Sequence, residues 1–320
     1  MNTGAMKENL RIKYIDYMRG IGALLVIIGH ADPKSVLGCF IYSFHMPLFF
    51  FIAGYVYKHK DAINMITSKV RYLLVPYFVS RLIINPLTQG LSIVDSKYII
   101  DVLFYGSDNW FLYALFWTIM SFWIMDEIVT CLKRRINLYV LNYWFIPVLI
   151  ICVVIRKLGV LDVHVFAFCR MTYEIVYFII GYFLKNYSLA KIKDILSGNV
   201  AIIVEAVLLI LFNYLNPYKQ WYYFPKTEFI QYITALIGIG LVFNLCIRIK
   251  ESGIISKFTS YMGKYSLQYY IFPNIPVSSC FGSGMIYIIW QFLCHTLYIY
   301  IAKKSKFLSF LYGIRYTENN

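Results

Sequence analysis

The sequence predicts an all-α fold, a polytopic membrane bundle of about ten transmembrane helices with both termini cytoplasmic. Three observations predict it. Of 320 residues, 60% are hydrophobic and only 14% are charged, against about 25% charged in soluble domains. Mean hydropathy is +0.63, and apolar stretches recur near the roughly 20 residues that cross about 30 Å of hydrocarbon. Lys and Arg also gather in alternate loops, as cytoplasmic segments require.

The spans predicted in chain order are 12–32, 37–57, 72–92, 110–130, 138–155, 167–184, 199–215, 229–247, 265–282 and 284–302. The first contains RGIGALLVIIGH, ten mostly apolar residues between Arg19 and His30. The second, SFHMPLFFFIAGYVY, carries His45 and Pro47; a proline inside a span frees backbone groups that a neighbour or cavity must satisfy. The third, opened by KVRYLLVPYFVSRL, has Lys69 and Arg71 at its inner edge and Arg81 in mid-span. The fourth follows Asp108-Asn109 and begins at Trp110. The sixth holds Arg170 and Glu174, the seventh Glu205 and the tenth His295. No internal repeat or low-complexity linker divides the chain, so residues 1–320 are expected to form a single integral-membrane domain.

With the N-terminus inside, cytoplasmic segments hold 22 Lys/Arg and outer loops hold six, leaving Arg81 and Arg170 within spans. The formal net charge of +14 therefore marks cytoplasmic loops, and nucleic-acid binding is not expected. A cleavable signal peptide is also disfavoured, because the first apolar run ends in Gly29-His30-Ala31-Asp32-Pro33 without an A-x-A-like site. The seven cysteines stand singly with no C-x-x-C pair, which suits buried thiols and neither a zinc site nor a disulfide framework. No His/Asp/Glu cluster has metal-ligand spacing, so no metal is expected.

Ionisable side chains at membrane depth are costly and point to function. Arg19 and His30 are eleven positions apart, which on a helix is about three turns plus 20°, so both face the same way about 16 Å apart. That is too short to place them at opposite membrane surfaces. A neutral imidazole can take the proton of a hydroxyl attacking an acyl carbonyl, and an arginine at the cytoplasmic edge can grip the phosphates of a CoA-type donor. His30 and Arg19 are thus the candidate catalytic residues. His45 reads equally as a second catalytic or substrate-positioning group, or as a histidine bonded to a carbonyl. Arg71, Trp110, Arg81 and Arg170 are candidate substrate-binding residues; Glu205 and His295 read as structural.

These residues resemble the acyltransferase 3 family of bacterial integral-membrane O-acyltransferases, including its fucose O-acetylase-like members. The resemblance rests on Asp16-Tyr17-Met18-Arg19-Gly20 with His30, on Ser43 to Phe50 with Gly54-Tyr55, and on Arg71-Tyr72-Leu73-Leu74-Val75-Pro76-Tyr77. Trp110-Phe111-Leu112-Tyr113-Ala114-Leu115 and Gly263-Lys264-Tyr265-Ser266-Leu267 with Tyr270 complete it. The resemblance implies a ten-helix bundle, His30 as catalytic base, Arg19 at the acyl donor, acetyl-CoA as that donor, and a glycan acceptor facing outward. Pro273 stands where the family's C-terminal signature usually has a histidine, so any role of that histidine is absent or moved. The implied activity is O-acetylation of a cell-surface polysaccharide, such as O-antigen or capsule, or of its lipid-linked precursor, at the bacterial inner membrane. The alternative is a transporter or flippase for a glycan or acyl carrier, which would share the spans but leaves the Arg19–His30 register without a purpose. The sugar, the acyl chain and the oligomeric state are not encoded in any readable motif.

Overall fold

The computed structural model describes residues 3–106, 109–135, 143–157, 165–186, 198–215, 228–271 and 285–316, with side chains from residue 13 onward and not for residues 155–157, 186 and 228. Among them the regular elements are helices and there is no strand. Among the described residues, five helices are long and apolar enough to cross a membrane: Val36–Tyr55, Ser96–Arg135, Val165–Lys185, Phe229–Cys246 and Met285–Lys303. They correspond to five of the ten expected spans. Two further apolar helices, Phe145–Val154 and Asn199–Leu215, are shorter. Helix α1, Thr3–Ala31, is not among the five, since Asp16, Arg19 and His30 interrupt its apolar run. Only residues 265–271 of the expected 265–282 span are described, and Pro273 and Cys280 lie outside the described residues.

The faces these helices leave uncovered are apolar. Along Asn199–Leu215, Val200, Ile203, Val207, Ile210 and Tyr214 are all exposed, a stripe at three- and four-residue steps along one side. Met285–Lys303 repeats this with Ile286, Ile289, Leu293, Leu297 and Ile301. Apolar patches of that length need an apolar neighbour, and lipid supplies one. The chain is a membrane protein.

The chain divides into two compact units, residues 1–52 with 183–300 and residues 53–182 with 301–320. In the first, α1 lies along the helix Ile254–Lys264. Two glycines permit this. A Cβ on Gly20 would stand 2.0 Å from the Thr259 carbonyl oxygen, and one on Gly263 would stand 2.0 Å from that of Asp16. Small residues that let helix backbones touch are the usual device for close crossing in membranes. The Tyr17 and Ser256 hydroxyls bond at 2.7 Å across the same seam, and Lys13 pairs with Glu251 at its end. The two motifs built around Gly20 and Gly263 are therefore the two sides of one helix crossing.

The second unit is organised around a broken helix. From Ala62 to Gln89 the chain alternates α-helix with two π segments, Val70–Leu74 and Ser80–Ile84. Each lies just before a proline, Pro76 and Pro86. A proline ring crowds the carbonyl four residues earlier, here Tyr72 and Leu82, and a widened turn relieves the clash. Asp61 caps the start of this helix by accepting from Asn64, through its backbone N–H at 3.0 Å and its side chain at 2.7 Å. Those two donors hold the Asp61 carboxyl below its ordinary value. The core of the unit is a cluster of Tyr57, Phe122, Phe178 and Tyr182, ring centroids 4.9–5.8 Å apart. Gly54 sits hard against it, where a Cβ would fall 1.9 Å from the Phe178 carbonyl oxygen.

Candidate active site

His30 occupies the last turn of α1, half-buried. Its Nδ1 donates to the Val26 carbonyl at 2.7 Å. A carbonyl oxygen only accepts, so this bond fixes the neutral tautomer with the proton on Nδ1 and the basic lone pair on Nε2. The chain then turns sharply. Ser35 bonds the Asp32 carbonyl at 2.7 Å and caps the next helix, α2, Val36–Tyr42. Gly38 lets that helix close on the turn, since a Cβ there would stand 2.3 Å from the Asp32 oxygen.

This turn delivers Tyr42 to His30. The two ring centroids are 5.8 Å apart, and the same tyrosine ring meets His45 edge-on at 4.9 Å. His45 is fully buried, and its Nδ1 donates to the Ile41 carbonyl at 3.0 Å. The carbonyl-bonded reading of His45 is thus what the structure presents. A third histidine joins them. His295, buried in Met285–Lys303, bonds its Nδ1 to the Gln291 carbonyl and sits 5.9 Å from the Tyr269 ring. His30 lies within electrostatic reach of both His45 and His295. All three imidazoles bond a carbonyl through Nδ1 and so carry their proton there. Among the described residues, no group of three or more His, Cys, Asp or Glu side chains is arranged to hold a metal ion.

Arg19 is three turns back along α1, paired with Asp16 at 3.4 Å, each side chain about one-third exposed.

The second unit places the other four candidates. Arg170 lays its guanidinium over the Trp110 ring, 4.3 Å from the centroid. Beside Trp110, Asn109 takes a left-handed backbone, φ 51°, and its side chain donates to Ser80 Oγ at 2.7 Å. Arg81 is fully buried. It pairs with Asp101 at 2.9 Å and stacks 4.7 Å over the Tyr98 ring, while the Tyr98 hydroxyl donates back to the Arg81 carbonyl. Arg71 is exposed, with its guanidinium 5.4 Å from the Tyr72 ring and 5.6 Å from that of Phe310.

One polar cluster has no counterpart in the sequence reading. Nδ1 of His59 faces Asp126 at 2.8 Å and Nε2 faces Glu127 at 2.9 Å, while the Tyr57 hydroxyl donates to Asp126 at 3.1 Å. The partners are some 67 residues apart, so no local motif announces them. His295 reads as structural in the sequence, and nothing in its apolar helix signals that its ring would lie 5.9 Å from that of Tyr269.

A family model described as an acyltransferase domain matches residues 12–308. The chain belongs to the acyltransferase 3 family. No curated protein sequence and no solved structure matches it. As a member of that family it is a membrane acyltransferase, which uses an acyl donor and an acceptor. Arg19, His30, His45, Arg71, Trp110 and the Gly263 motif all fall within the matched residues.

Proposed function

We propose that this acyltransferase moves an acetyl group from acetyl-CoA to a hydroxyl of a cell-surface polysaccharide, or its lipid-linked precursor, at the bacterial inner membrane. His30 is the general base. Its Nε2 takes the proton as the acceptor oxygen attacks the thioester carbon; the carbon–sulfur bond breaks and CoA leaves as the thiol. Arg19, one helix face and about 16 Å away, holds the donor's phosphates at the cytoplasmic edge. The ten-span, single-domain topology with both termini inside goes with this reading, because it puts Arg19 on the side where acetyl-CoA is made.

The observation that carries the proposal is the bond from His30 Nδ1 to Val26, which presets the base-competent tautomer in a family whose members transfer acyl groups. Family membership also favours chemistry over transport. Arg170 over Trp110 is the pair we assign to the acceptor in the second unit, Arg71 a donor contact, His45 a group that orders the base, and Arg81 a substrate-side residue anchored by Asp101.

The test is to express the protein with its own glycan pathway and weigh the glycan with and without His30→Ala. An acetyl increment in the wild type that disappears in the variant is expected. An increment that survives His30→Ala sinks the assignment of the base, and altered export with no increment favours transport.

A further inference from the structure

We infer that Tyr42 is a positioning residue for the base: its ring is the common wall that fixes the orientation of both the His30 and His45 imidazoles. This deepens the acyltransfer reading and rests on it for its kinetic consequences. The argument begins with a degree of freedom. The Nδ1 bond to Val26 fixes which nitrogen is protonated, yet an imidazole can still swing about χ2, whose well is broad. Something must stop that swing if Nε2 is to stay aimed at a substrate hydroxyl. On one side stands Tyr42, 5.8 Å away with its ring tilted 57° to that of His30.

Tyr42 is itself immobile. It is buried, 7% exposed, at the end of a helix anchored by the Ser35 cap and the tight Gly38 contact. It also meets His45, edge-on at 4.9 Å and 76°, which is itself tied to Ile41. The backbone just beyond is fixed by Ser43, whose hydroxyl bonds Phe40 at 2.7 Å and receives Asn213 at 3.3 Å. Two imidazoles therefore meet one tyrosine ring, His30 and His45 each against Tyr42 and each bonded to a carbonyl through Nδ1. What the arrangement uses is the flat ring of Tyr42. Phenylalanine can replace it; an aliphatic side chain of similar bulk cannot present the same face and edge.

The experiment uses the full chain in nanodiscs with histidine rings labelled with ¹⁵N, the His30 signals being assigned by their loss in His30→Gln. Wild type and Tyr42→Phe are expected to show the same His30 pattern, protonated at Nδ1. Tyr42→Ala and Tyr42→Leu are expected to show a shifted or broadened one. In acetyl transfer, Tyr42→Leu is expected to lower kcat about 100-fold, the cost of a roughly 1 Å misplacement, with the KM for acetyl-CoA unchanged, and Tyr42→Phe to restore it. A His30 pattern unchanged in both Tyr42→Ala and Tyr42→Leu overturns the inference, as does unfolding of both, which would make Tyr42 a structural residue. If the wild type transfers no acetyl group, the acyltransfer reading fails separately, and the ¹⁵N pattern still decides the role of Tyr42.

Discussion

Adding one methyl group at Gly20 tests the helix crossing that carries the candidate active site. In Gly20→Ala the new Cβ would stand 2.0 Å from the Thr259 carbonyl oxygen. Comfortable C···O contacts begin near 3.3 Å, so the two helices must part by about 1.3 Å. That movement opens the 2.7 Å Tyr17–Ser256 bond to roughly 4 Å, beyond hydrogen-bonding distance. The lost bond costs about 0.5–1.5 kcal/mol and the forced overpacking about 1–3 kcal/mol, giving a destabilisation of about 2–4 kcal/mol. Thermal unfolding of the purified protein in detergent measures it, with Tyr17→Phe as the control for the hydrogen bond alone. Gly263→Ala meets the Asp16 carbonyl at the same 2.0 Å. Once one alanine has separated the helices, the second should cost much less, so the double variant should fall well short of the sum. Full additivity, or a Gly20→Ala protein as stable as wild type, would refute the idea that these glycines share one seam.

Arg19→Lys should raise the KM for acetyl-CoA with little change in kcat, because a lysine cannot reproduce a bidentate grip on phosphate; steady-state kinetics separates the two. His59→Ala removes the group facing both Asp126 and Glu127 and should destabilise the second unit by about 1–3 kcal/mol, read as a lower unfolding temperature. Arg81→Met takes the guanidinium from Asp101 and should cost about 3–5 kcal/mol, with greater loss of stability than any effect on the KM of the donor. The Asp61 cap is a pH-dependent element. Because Asn64 depresses the Asp61 carboxyl, its stabilisation is complete above the ordinary carboxylate value and is lost as pH falls through the depressed one. Asp61→Asn should remove that part of the acid sensitivity in a pH series of unfolding temperatures.

The legible parts of the sequence were those with a period or a local motif. Arg19 and His30 sit on one helix as their spacing requires, and five expected spans recur as long apolar helices. The expected 72–92 span is helical yet interrupted, because Pro47-like signals at Pro76 and Pro86 produce π segments whose width no hydropathy window registers. Arg81 could be read as a costly mid-span charge; its partner Asp101, twenty residues away, could not. Cys131, expected among buried thiols, is exposed since it lies in the charged last turn beside Lys133, Arg134 and Arg135. That His30 and His295 fall within one compact unit is a product of tertiary packing between segments more than 250 residues apart, and period and composition carry no trace of it.

The pairing of α1 with Ile254–Lys264 also dictates when this protein can be finished. At roughly 5–20 residues per second, the ribosome needs on the order of ten to fifty seconds to travel from Gly20 to its contact Thr259. Throughout that interval the first helix, too polar to count among the long apolar ones, waits in the membrane with Asp16, Arg19 and its glycine face uncovered. A nascent chain stopped short of residue 254 lacks the partner helix Ile254–Lys264 and cannot close that seam. Synthesis of the segment from Ile254 onward is thus what completes the first unit's helix crossing.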